Sequence, residues 1–229
     1  LRFRGWDNLF FQVFVNGFLF LVLLIIIVPI WRVLMMSVTP LGFADDPTFG
    51  MWVPPGRVSF EAYKELIGHP AFLRALGNSC IITFGGVAIN MVLTVPLAYA
   101  LSNTRLPGRR FIVTFILIPF LFSAGLVPTY LVVLRLGLID NLLAVMLPGA
   151  VSVYNTLVMK SFFEGLPEEL REAARLDGAN ELQILWHVIL PLSKPILLTI
   201  GLFYTVGHWN EFFSPILYLN DYNLMPLPV

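Results

Sequence analysis

The chain has 229 residues, of which 58% are hydrophobic and only 12% are charged, and its formal net charge is zero. An average soluble domain carries about 25% charged residues, so this composition excludes an ordinary soluble fold. The neutral balance gives no indication of a nucleic-acid partner, and the single cysteine, Cys80, excludes an intramolecular disulfide. The composition therefore predicts an all-α integral membrane protein.

Long apolar runs predict about five membrane-spanning helices, because each run approaches the roughly 20 residues that cross a hydrocarbon core. The first run follows Arg2 and Arg4, but it is too long for a signal-peptide core and lacks a small-residue cleavage site, so we predict a retained helix. The chain begins at Leu1 rather than Met, and further residues are expected upstream. In chain order the predicted spans are 9–38, 78–101, 111–134, 142–163 and 195–217.

The connections between the spans predict the orientation of the chain. Segment 39–77 is a long polar connection containing Asp45 and Asp46, and its part 59–76 is expected to hold one or two short amphipathic helices. Basic residues concentrate on the cytoplasmic side of a membrane. A cytoplasmic amino terminus places nine of the 14 Lys and Arg residues inside and five outside. This orientation makes 39–77 extracytoplasmic and the polar segment 166–195 cytoplasmic.

Segment 166–195 carries the signals of two short helices joined by a sharp turn. Pro167 suits the start of a helix, and Gly178 suits a left-handed helix end. Asn180 and Gln183 are spaced as a capping box at the start of a second helix. We therefore predict a helical hairpin that projects into water.

The first of these helices presents a small-residue surface flanked by charges. Ala173 and Ala174 keep one side of the helix thin, and Glu172 is spaced to pair with Arg175 one turn away. Such a surface suits insertion into a groove on a partner. From the residues alone, an ordinary amphipathic hairpin at the membrane interface is an equally good interpretation.

Polar residues inside the spans usually face a bundle interior or a water-filled path, but small and polar residues also pack helices together in lipid. Two stripes at helical spacing leave both interpretations open, with packing favoured. They comprise Thr83, Gly86, Asn90 and Thr94 in the second span, and Ser152, Asn155 and Met159 in the fourth.

The fifth span has one face with several polar groups. Gly201, Tyr204, His208 and Glu211 share that face, since they are spaced by three and four residues. Glu211 lies sixteen residues beyond Pro195, or about 24 Å along a helix, which places it near the outer leaflet. With the adjacent Asn210, this face is predicted to border a translocation cavity. A belt at the membrane interface, with a structural His208–Glu211 pair, explains the pattern equally well.

Several catalytic patterns are missing from the sequence. There is no Gly-x4-Gly-Lys-Ser/Thr loop, so the chain is not expected to hydrolyse ATP itself. The three histidines are scattered, and neither His-Glu-x-x-His nor Cys-x-x-Cys occurs, so no metal site is predicted. We expect no cofactor in this chain.

The polar segment resembles the EAA loop of ABC-importer permeases. The resemblance rests on Glu172-Ala173-Ala174, Asp177-Gly178-Ala179 and Leu190-Pro191-Leu192. It implies the type I transmembrane-domain fold over residues 1–229, with 166–195 as a cytoplasmic coupling loop. It also implies that an ATPase subunit contacts Glu172, Ala173, Ala174, Asp177 and Gly178. The family usually has six spans, and the sixth is absent from this sequence.

Other segments resemble the carbohydrate-uptake branch of that family, the maltose-permease type. They include NSCIITFGG, LPGAVSVYNTLVMKSFF and FYTVGHWNEFFSPILYLND, and the VGHWN run is similar to a subgroup for oligosaccharides, including uronic-acid oligomers such as those from alginate or pectin. This implies a permease subunit in the bacterial inner membrane. The implied pathway residues are Asn90, Asn155, Tyr204, His208, Asn210 and Glu211.

The resemblance also implies a set of partners. They are a related permease, in a heterodimer, two ATP-binding-cassette subunits that hold ATP and Mg²⁺, an extracytoplasmic solute-binding protein and the lipid bilayer. Three alternatives stay open. A permease of the same architecture could carry a peptide or ion, and an intramembrane enzyme would have only His208 and Glu211 as a polar pair. A secondary transporter is expected to show internal repeats with interrupted helices, which are not apparent in the sequence.

Overall fold

Helices account for the regular structure of the chain. The structure is a computed structural model that describes residues 6–43, 52–122 and 124–229, and these ranges contain no β-strand. The helices are α1 (Trp6–Ser37), α2 (Glu61–Gly68), α3 (Pro70–Ser102), α4 (Arg109–Leu121), α5 (Leu126–Arg135), α6 (Leu143–Met146), α7 (Val153–Glu164), α8 (Glu168–Leu176), α9 (Glu181–Ile184), α10 (Leu190–Leu192), α11 (Lys194–Trp209) and α12 (Phe213–Tyr218). The predicted all-α fold is confirmed.

The chain divides into two units, Leu1–Pro70 and Ala71–Val229. In the first unit α1 exposes an apolar surface, as a helix in lipid does. Helix α2 is the short helix expected within 59–76, and the hydroxyl of Tyr63 donates to the Ser37 Oγ over 2.8 Å. Residues Arg2, Arg4, Asp45 and Asp46 lie outside the described residues. The single-domain interpretation of residues 1–229 stays a prediction.

Two of the described helices are long and apolar enough to cross a membrane, Phe11–Ser37 within α1 and Pro70–Ser102. There are up to four such crossings if each of two bent helix pairs is one span. Helix α3 begins at Pro70, earlier than the predicted boundary at 78, because proline suits a first helical turn and the residues that follow continue the helix. The first two predicted spans are thus continuous helices.

The third predicted span, 111–134, is not one straight helix. Helices α4 and α5 meet at 113°. Pro119 lies in the last turn of α4, where it removes a backbone donor. Gly125 has φ +81°, a left-handed conformation that favours glycine, and α5 begins directly after it.

The fourth predicted span, 142–163, is interrupted as well. Helix α6 has only four residues, and α7 begins at Val153. Pro148 and Gly149 lie between them, and the Ser152 side chain caps α7 by accepting a hydrogen bond from the Asn155 N–H over 3.3 Å. Interrupted helices therefore do occur in this chain, although its apolar runs look continuous.

The main core of the second unit lies where α3, α7 and α11 meet the residues that follow α8. Helix α9 continues into a π-helical turn, Leu185–Ile189. The side chains of Ile184 and Ile189 are fully buried against Ala98, Met159 and Ile200. The segment 166–195 is therefore built into the core at its second half, unlike a hairpin that lies loosely on a membrane surface.

The segment after α12 packs against the beginning of α3. The Asn78 side-chain amide donates to the carbonyls of Asn223 and Met225 over 2.8 and 3.2 Å. The Leu227 N–H donates to the Ser79 Oγ over 2.8 Å. These hydrogen bonds fix the path of residues 223–227 against α3.

Candidate functional site

The segment 166–195 folds as the predicted pair of helices. Helix α8 ends in a Schellman motif, in which the Gly178 N–H donates to the Arg175 carbonyl and the Ala179 N–H to the Ala174 carbonyl, both over 3.0 Å. Gly178 has φ +81°. The predicted capping box between Asn180 and Gln183 is present, with both hydrogen bonds at 2.9 Å. Local sequence signals therefore determine the shape of this turn.

The predicted docking residues are mostly open to solvent. Glu172, Ala173, Asp177 and Gly178 are exposed, and Ala174 is partly buried against the core. Leu176, in the same turn of α8, is 90% exposed. The exposed surface at this end of α8 therefore combines charged, small and apolar side chains.

The predicted pairing of Glu172 with Arg175 is wrong. Glu172 lies 3.6 Å from Arg105. Arg175 instead approaches Glu168 at 3.5 Å and donates from Nε to Glu181 over 3.0 Å. The hydrogen bond to Glu181 raises the pKa of Arg175 above its ordinary value. Arg175 therefore faces α9, whereas Glu172 lies on the exposed side of α8.

Sequence reasoning missed two side chains that attach this loop to the membrane helices. Arg171 is 3% exposed, and its Nη2 donates to the Ser102 Oγ and the Phe163 carbonyl. Glu181 accepts a hydrogen bond from the Tyr99 hydroxyl over 2.6 Å. A weak signal was available for Arg171, because its spacing from Ala174 places it on the inner face of α8.

A cavity of about 330 Å³ lies beside α11 and the α6–α7 connection. Five of the six predicted pathway residues line it, and they are Asn90, Asn155, Tyr204, His208 and Glu211. Asn210 does not line it. Helix α11 ends at Trp209, and the Asn210 side chain turns back to donate to the Val206 carbonyl over 2.9 Å.

Tyr204 joins three parts of the bundle. Its side chain is 6% exposed. Its hydroxyl lies 2.8 Å from the Thr94 Oγ1 and accepts the Ser152 N–H over 3.2 Å. Because both contacts are within the protein, the geometry favours a packing role for this hydroxyl.

His208 lies in close contact with α3. Its Nε2 is 3.2 Å from the Asn90 side-chain nitrogen. A Cβ atom added at Gly86 would come within 2.5 Å of the same Nε2, so this close approach requires glycine. The Asn90 Oδ1 is buried without a hydrogen-bond partner among the described residues. This amide therefore retains an unused polar atom beside the cavity.

Glu211 stabilises the start of α12. Its carboxylate accepts hydrogen bonds from the N–H groups of Phe213 and Ser214, over 3.2 and 2.9 Å. The proposed structural pair with His208 is thus replaced by separate partners, Asn90 for the imidazole and backbone N–H groups for the carboxylate. Two donors near a helix start disperse the negative charge of the carboxylate.

The described ranges, 6–43, 52–122 and 124–229, contain no group of three or more His, Cys, Asp or Glu side chains that could hold a metal ion. The cavity is lined by amide, hydroxyl, imidazole and carboxylate groups together with apolar residues that include Val145, Pro148 and Phe203. Groups of this kind can exchange hydrogen bonds with hydroxylated or acidic solutes.

The known proteins that are similar to this chain match it over both the loop and the residues that line the cavity. The family described as "Binding-protein-dependent transport system inner membrane component" matches residues 90–227. Protein LplC of Bacillus subtilis (strain 168) is 43% identical over 173 residues, which are 76% of this chain and 59% of LplC. The polygalacturonan/rhamnogalacturonan transport system permease protein YtcP of the same organism is 36% identical over 222 residues, which are 97% of this chain and 77% of YtcP.

A solved structure shows the same fold. It is a crystal structure of a bacterial ABC transporter involved in the import of the acidic polysaccharide alginate, and it matches with a TM-score of 0.90 and 32% sequence identity. The match covers 99% of this chain and 80% of the other. The fold expected from the EAA-like loop is confirmed. The family match extends over more than half of the chain, and the chain belongs to the binding-protein-dependent transport system inner membrane components.

Proposed function

We propose that this chain is a permease subunit of an ATP-driven importer that moves an acidic oligosaccharide across the bacterial inner membrane. The observation that carries the proposal is the similarity over nearly the whole chain to YtcP and to a chain of the alginate importer. YtcP is named for the transport of polygalacturonan and rhamnogalacturonan, and the solved transporter is involved in the import of the acidic polysaccharide alginate. The substrate class expected from the VGHWN run agrees with them.

In this proposal the loop 166–195 couples the permease to a partner ATPase. Glu172, Ala173, Asp177 and Gly178 are exposed on the turn where α8 ends, and Leu176 projects beside them. The buried second half of the loop holds this surface in a fixed position. The two ATPase subunits bind ATP and Mg²⁺, and a solute-binding protein delivers the oligosaccharide from the opposite side.

The cavity beside α11 is proposed to form part of the solute path. Its volume of about 330 Å³ is at the lower end of the roughly 300–1,000 Å³ of ligand pockets. We therefore assign to it one part of an oligosaccharide, and a related permease in a heterodimer supplies the rest of the path. Asn90, Asn155 and His208 provide hydrogen-bonding groups for hydroxyls and carboxylates.

The test is substrate-stimulated ATPase activity of the complex in proteoliposomes. The complex is assembled with its ATPase subunits, its partner permease and its solute-binding protein, and an ATPase subunit without its catalytic glutamate serves as the control. Oligogalacturonides or alginate oligomers are expected to stimulate hydrolysis and to accumulate inside. Stimulation by neutral oligosaccharides alone contradicts the acidic class, and stimulation only by a peptide or an ion contradicts the carbohydrate assignment.

A further inference from the structure

A small group of side chains joins the two helices of the loop to the end of α3. We call it the α3 anchor, and it consists of Arg171, Tyr99, Ser102 and Glu181 with the Phe163 carbonyl. The Arg171 Nη2 donates to the Ser102 Oγ over 3.1 Å and to the Phe163 carbonyl over 2.9 Å. Its guanidinium carbon lies 5.4 Å from the centre of the Tyr99 ring. One side chain of α8 therefore contacts the ends of both α3 and α7.

Glu181 of α9 connects the anchor to both α3 and α8. The Tyr99 hydroxyl donates to the Glu181 Oε2 over 2.6 Å. The other oxygen of Glu181 accepts the Arg175 Nε over 3.0 Å. Helices α8, α3 and α9 are thus connected pairwise by short polar contacts, so that neither loop helix can move relative to α3 without breaking one of them.

Burial of Arg171 is costly, which argues against a purely stabilising role. Arg171 is only 3% exposed. Its Nε has no hydrogen-bond partner among the described residues, and its ion pair with Glu168 is loose at 3.6 Å. Removing a charge from water is unfavourable unless its partners compensate fully. An apolar side chain of similar length would fill the same space at lower cost. An arginine rather than an apolar side chain lies at this position, and it makes directional contacts to the ends of two helices.

Helix α3 connects this anchor with the candidate cavity. Tyr99, Thr94, Asn90 and Gly86 lie on one stretch of the helix, and the last three contact α11 at Tyr204 or His208. The distance from Ser102 to Gly86 along the helix is about 24 Å. Helix α3 is continuous over this distance, with Pro96 removing one backbone hydrogen bond within it, and a packed helix of this length can transmit a displacement.

We propose that Arg171 is a positioning residue for transport: with the Tyr99–Glu181 hydrogen bond, it fixes the coupling loop to α3, so that a displacement of the loop moves the α3–α11 contact at the cavity. This inference rests on the proposed function. It concerns the transmission of movement within this chain and not the contact with the ATPase. Arg171 faces inward, whereas the docking residues face outward.

Three variants and one control separate transmission from docking. Arg171→Met removes the charge and keeps the length of the side chain. Arg171→Lys keeps the charge but loses the planar guanidinium whose Nη2 makes both hydrogen bonds. Tyr99→Phe removes only the hydroxyl that reaches Glu181. Arg110→Met is the matched control, because Arg110 is exposed in the first turn of α4 and is not part of the anchor. Each variant is measured as a complete complex in proteoliposomes with the loaded solute-binding protein.

The expected result is a loss of coupling with normal assembly. For Arg171→Met, copurification of the ATPase subunits, the basal kcat and the KM for ATP stay at wild-type values. The stimulated kcat and the solute moved per ATP fall by about 2- to 30-fold, the range for single interior residues that carry coupling. Tyr99→Phe shows a smaller loss of the same kind, Arg171→Lys lies between Arg171→Met and the wild type, and Arg110→Met behaves as the wild type.

Two outcomes overturn the inference. Wild-type stimulation and stoichiometry in assembled Arg171→Met and Tyr99→Phe complexes show that the anchor transmits nothing. Loss of ATPase copurification in all three variants shows that the anchor only supports the docking surface. Failure of the proposed function is seen separately, since a wild-type complex would then show no stimulation by acidic oligosaccharides before any variant is made.

Discussion

The loop 166–195 and the cavity beside α11 both contain polar contacts, but these contacts have different origins. In the loop, the Schellman turn at Gly178 and the capping box at Asn180 join residues a few positions apart. In the cavity, Asn90 meets His208 and Thr94 meets Tyr204 across more than 100 residues of sequence. Short-range contacts follow from local chemistry. Long-range contacts require the whole bundle, so the two regions should respond differently to mutation.

The charges of the two regions also differ. Around the loop, Arg105, Lys160, Arg171 and Arg175 all approach carboxylates. The α3–α11 contact uses hydroxyl, amide and imidazole groups, and the Glu211 carboxylate, which lines the cavity, is bonded to backbone N–H groups. Ion pairs are tolerated near water, whereas ionised side chains within a membrane are costly and mark functional sites. This difference agrees with a loop that binds protein and a cavity that passes a hydrated solute.

The largest expected effect is at the α3–α11 contact. Gly86→Ala places a methyl group where the His208 ring lies, at 2.5 Å from its Nε2. We expect the two helices to separate and assembly of the complex to fall sharply, since overpacking a tight contact costs about 1–3 kcal/mol or more. Thermal stability and yield of the purified complex measure this.

The adjacent glycine is the matched control for that change. A Cβ at Gly85 would meet only the flexible end of Met146, at 3.4 Å. Alanine is also favoured over glycine within a helix, by roughly 1 kcal/mol. We expect Gly85→Ala to be neutral or stabilising. Equal effects of the two alanines would show that the close approach of His208 to α3 is not what positions these helices.

The second prediction concerns the turn of the coupling loop. Gly178→Val forces a β-branched residue into the left-handed conformation at φ +81°, which costs about 1–2 kcal/mol even for an unbranched residue. We expect transport to be lost while the protein still inserts into the membrane, because the strain is confined to the loop. Transport and the amount of membrane-inserted protein are measured together.

Gly178→Asn is the control for this turn, because asparagine tolerates the left-handed region better than other residues do. It should retain most of the transport activity. If Gly178→Val transported normally, the shape of the turn would not matter for coupling, and the contrast between loop and cavity would lose its functional meaning.

The third prediction separates packing from solute contact within the cavity. Tyr204→Phe leaves the Thr94 hydroxyl and the Ser152 N–H without their shared partner, at a cost of about 1–3 kcal/mol. We expect less assembled complex but wild-type transport per complex. Asn155→Ala, by contrast, is expected to lower transport per complex, because the amide lines the cavity and a missing hydrogen-bonding partner weakens recognition of hydroxyls.

Transport per assembled complex is the decisive measurement for both variants. Reduced transport per complex in Tyr204→Phe would show that this hydroxyl belongs to the solute path. Wild-type transport per complex in Asn155→Ala would show that the cavity is a gap in the packing between helices and not part of the solute path.

Local signals explain which features the sequence could predict. The helix end at Gly178, the capping box at Asn180 and the face shared by Tyr204 and His208 need only the periodicity of a helix and the chemistry of its ends. Glu211 also lines the cavity, but it lies beyond the end of α11 at Trp209 and not on the predicted helical face. The bends after Pro119 and around Pro148 were missed, because the apolar character continues through them and hydropathy does not register a break. Arg171 was missed because its partners, Ser102 and the Phe163 carbonyl, lie on other helices.

The smallest expected effect tests a long-range contact outside the membrane helices. Asp140 accepts hydrogen bonds from the backbone N–H groups of Asn220 and Asp221, which lie 80 and 81 residues further along the chain. These hydrogen bonds hold the pKa of the Asp140 carboxyl below its usual range. A lowered pKa in the folded state gives stability that is present above the ordinary carboxyl pKa of about 4 and is lost as the pH falls through the folded value. The segment 219–229 is therefore expected to loosen only in acid, below the ordinary carboxyl range.

Asp140→Asn should produce a similar loosening at neutral pH, and asparagine tolerates the local φ of +59°. Hydrogen exchange at the Asn220 and Asp221 amides measures both effects, with the Leu227 amide, which is bonded to Ser79, as the internal reference. Unchanged exchange at Asn220 in Asp140→Asn would show that the contacts at Asn78 and Ser79 hold this segment without the carboxylate. In that case long-range contacts here would be redundant, whereas those at Gly86 and His208 would not.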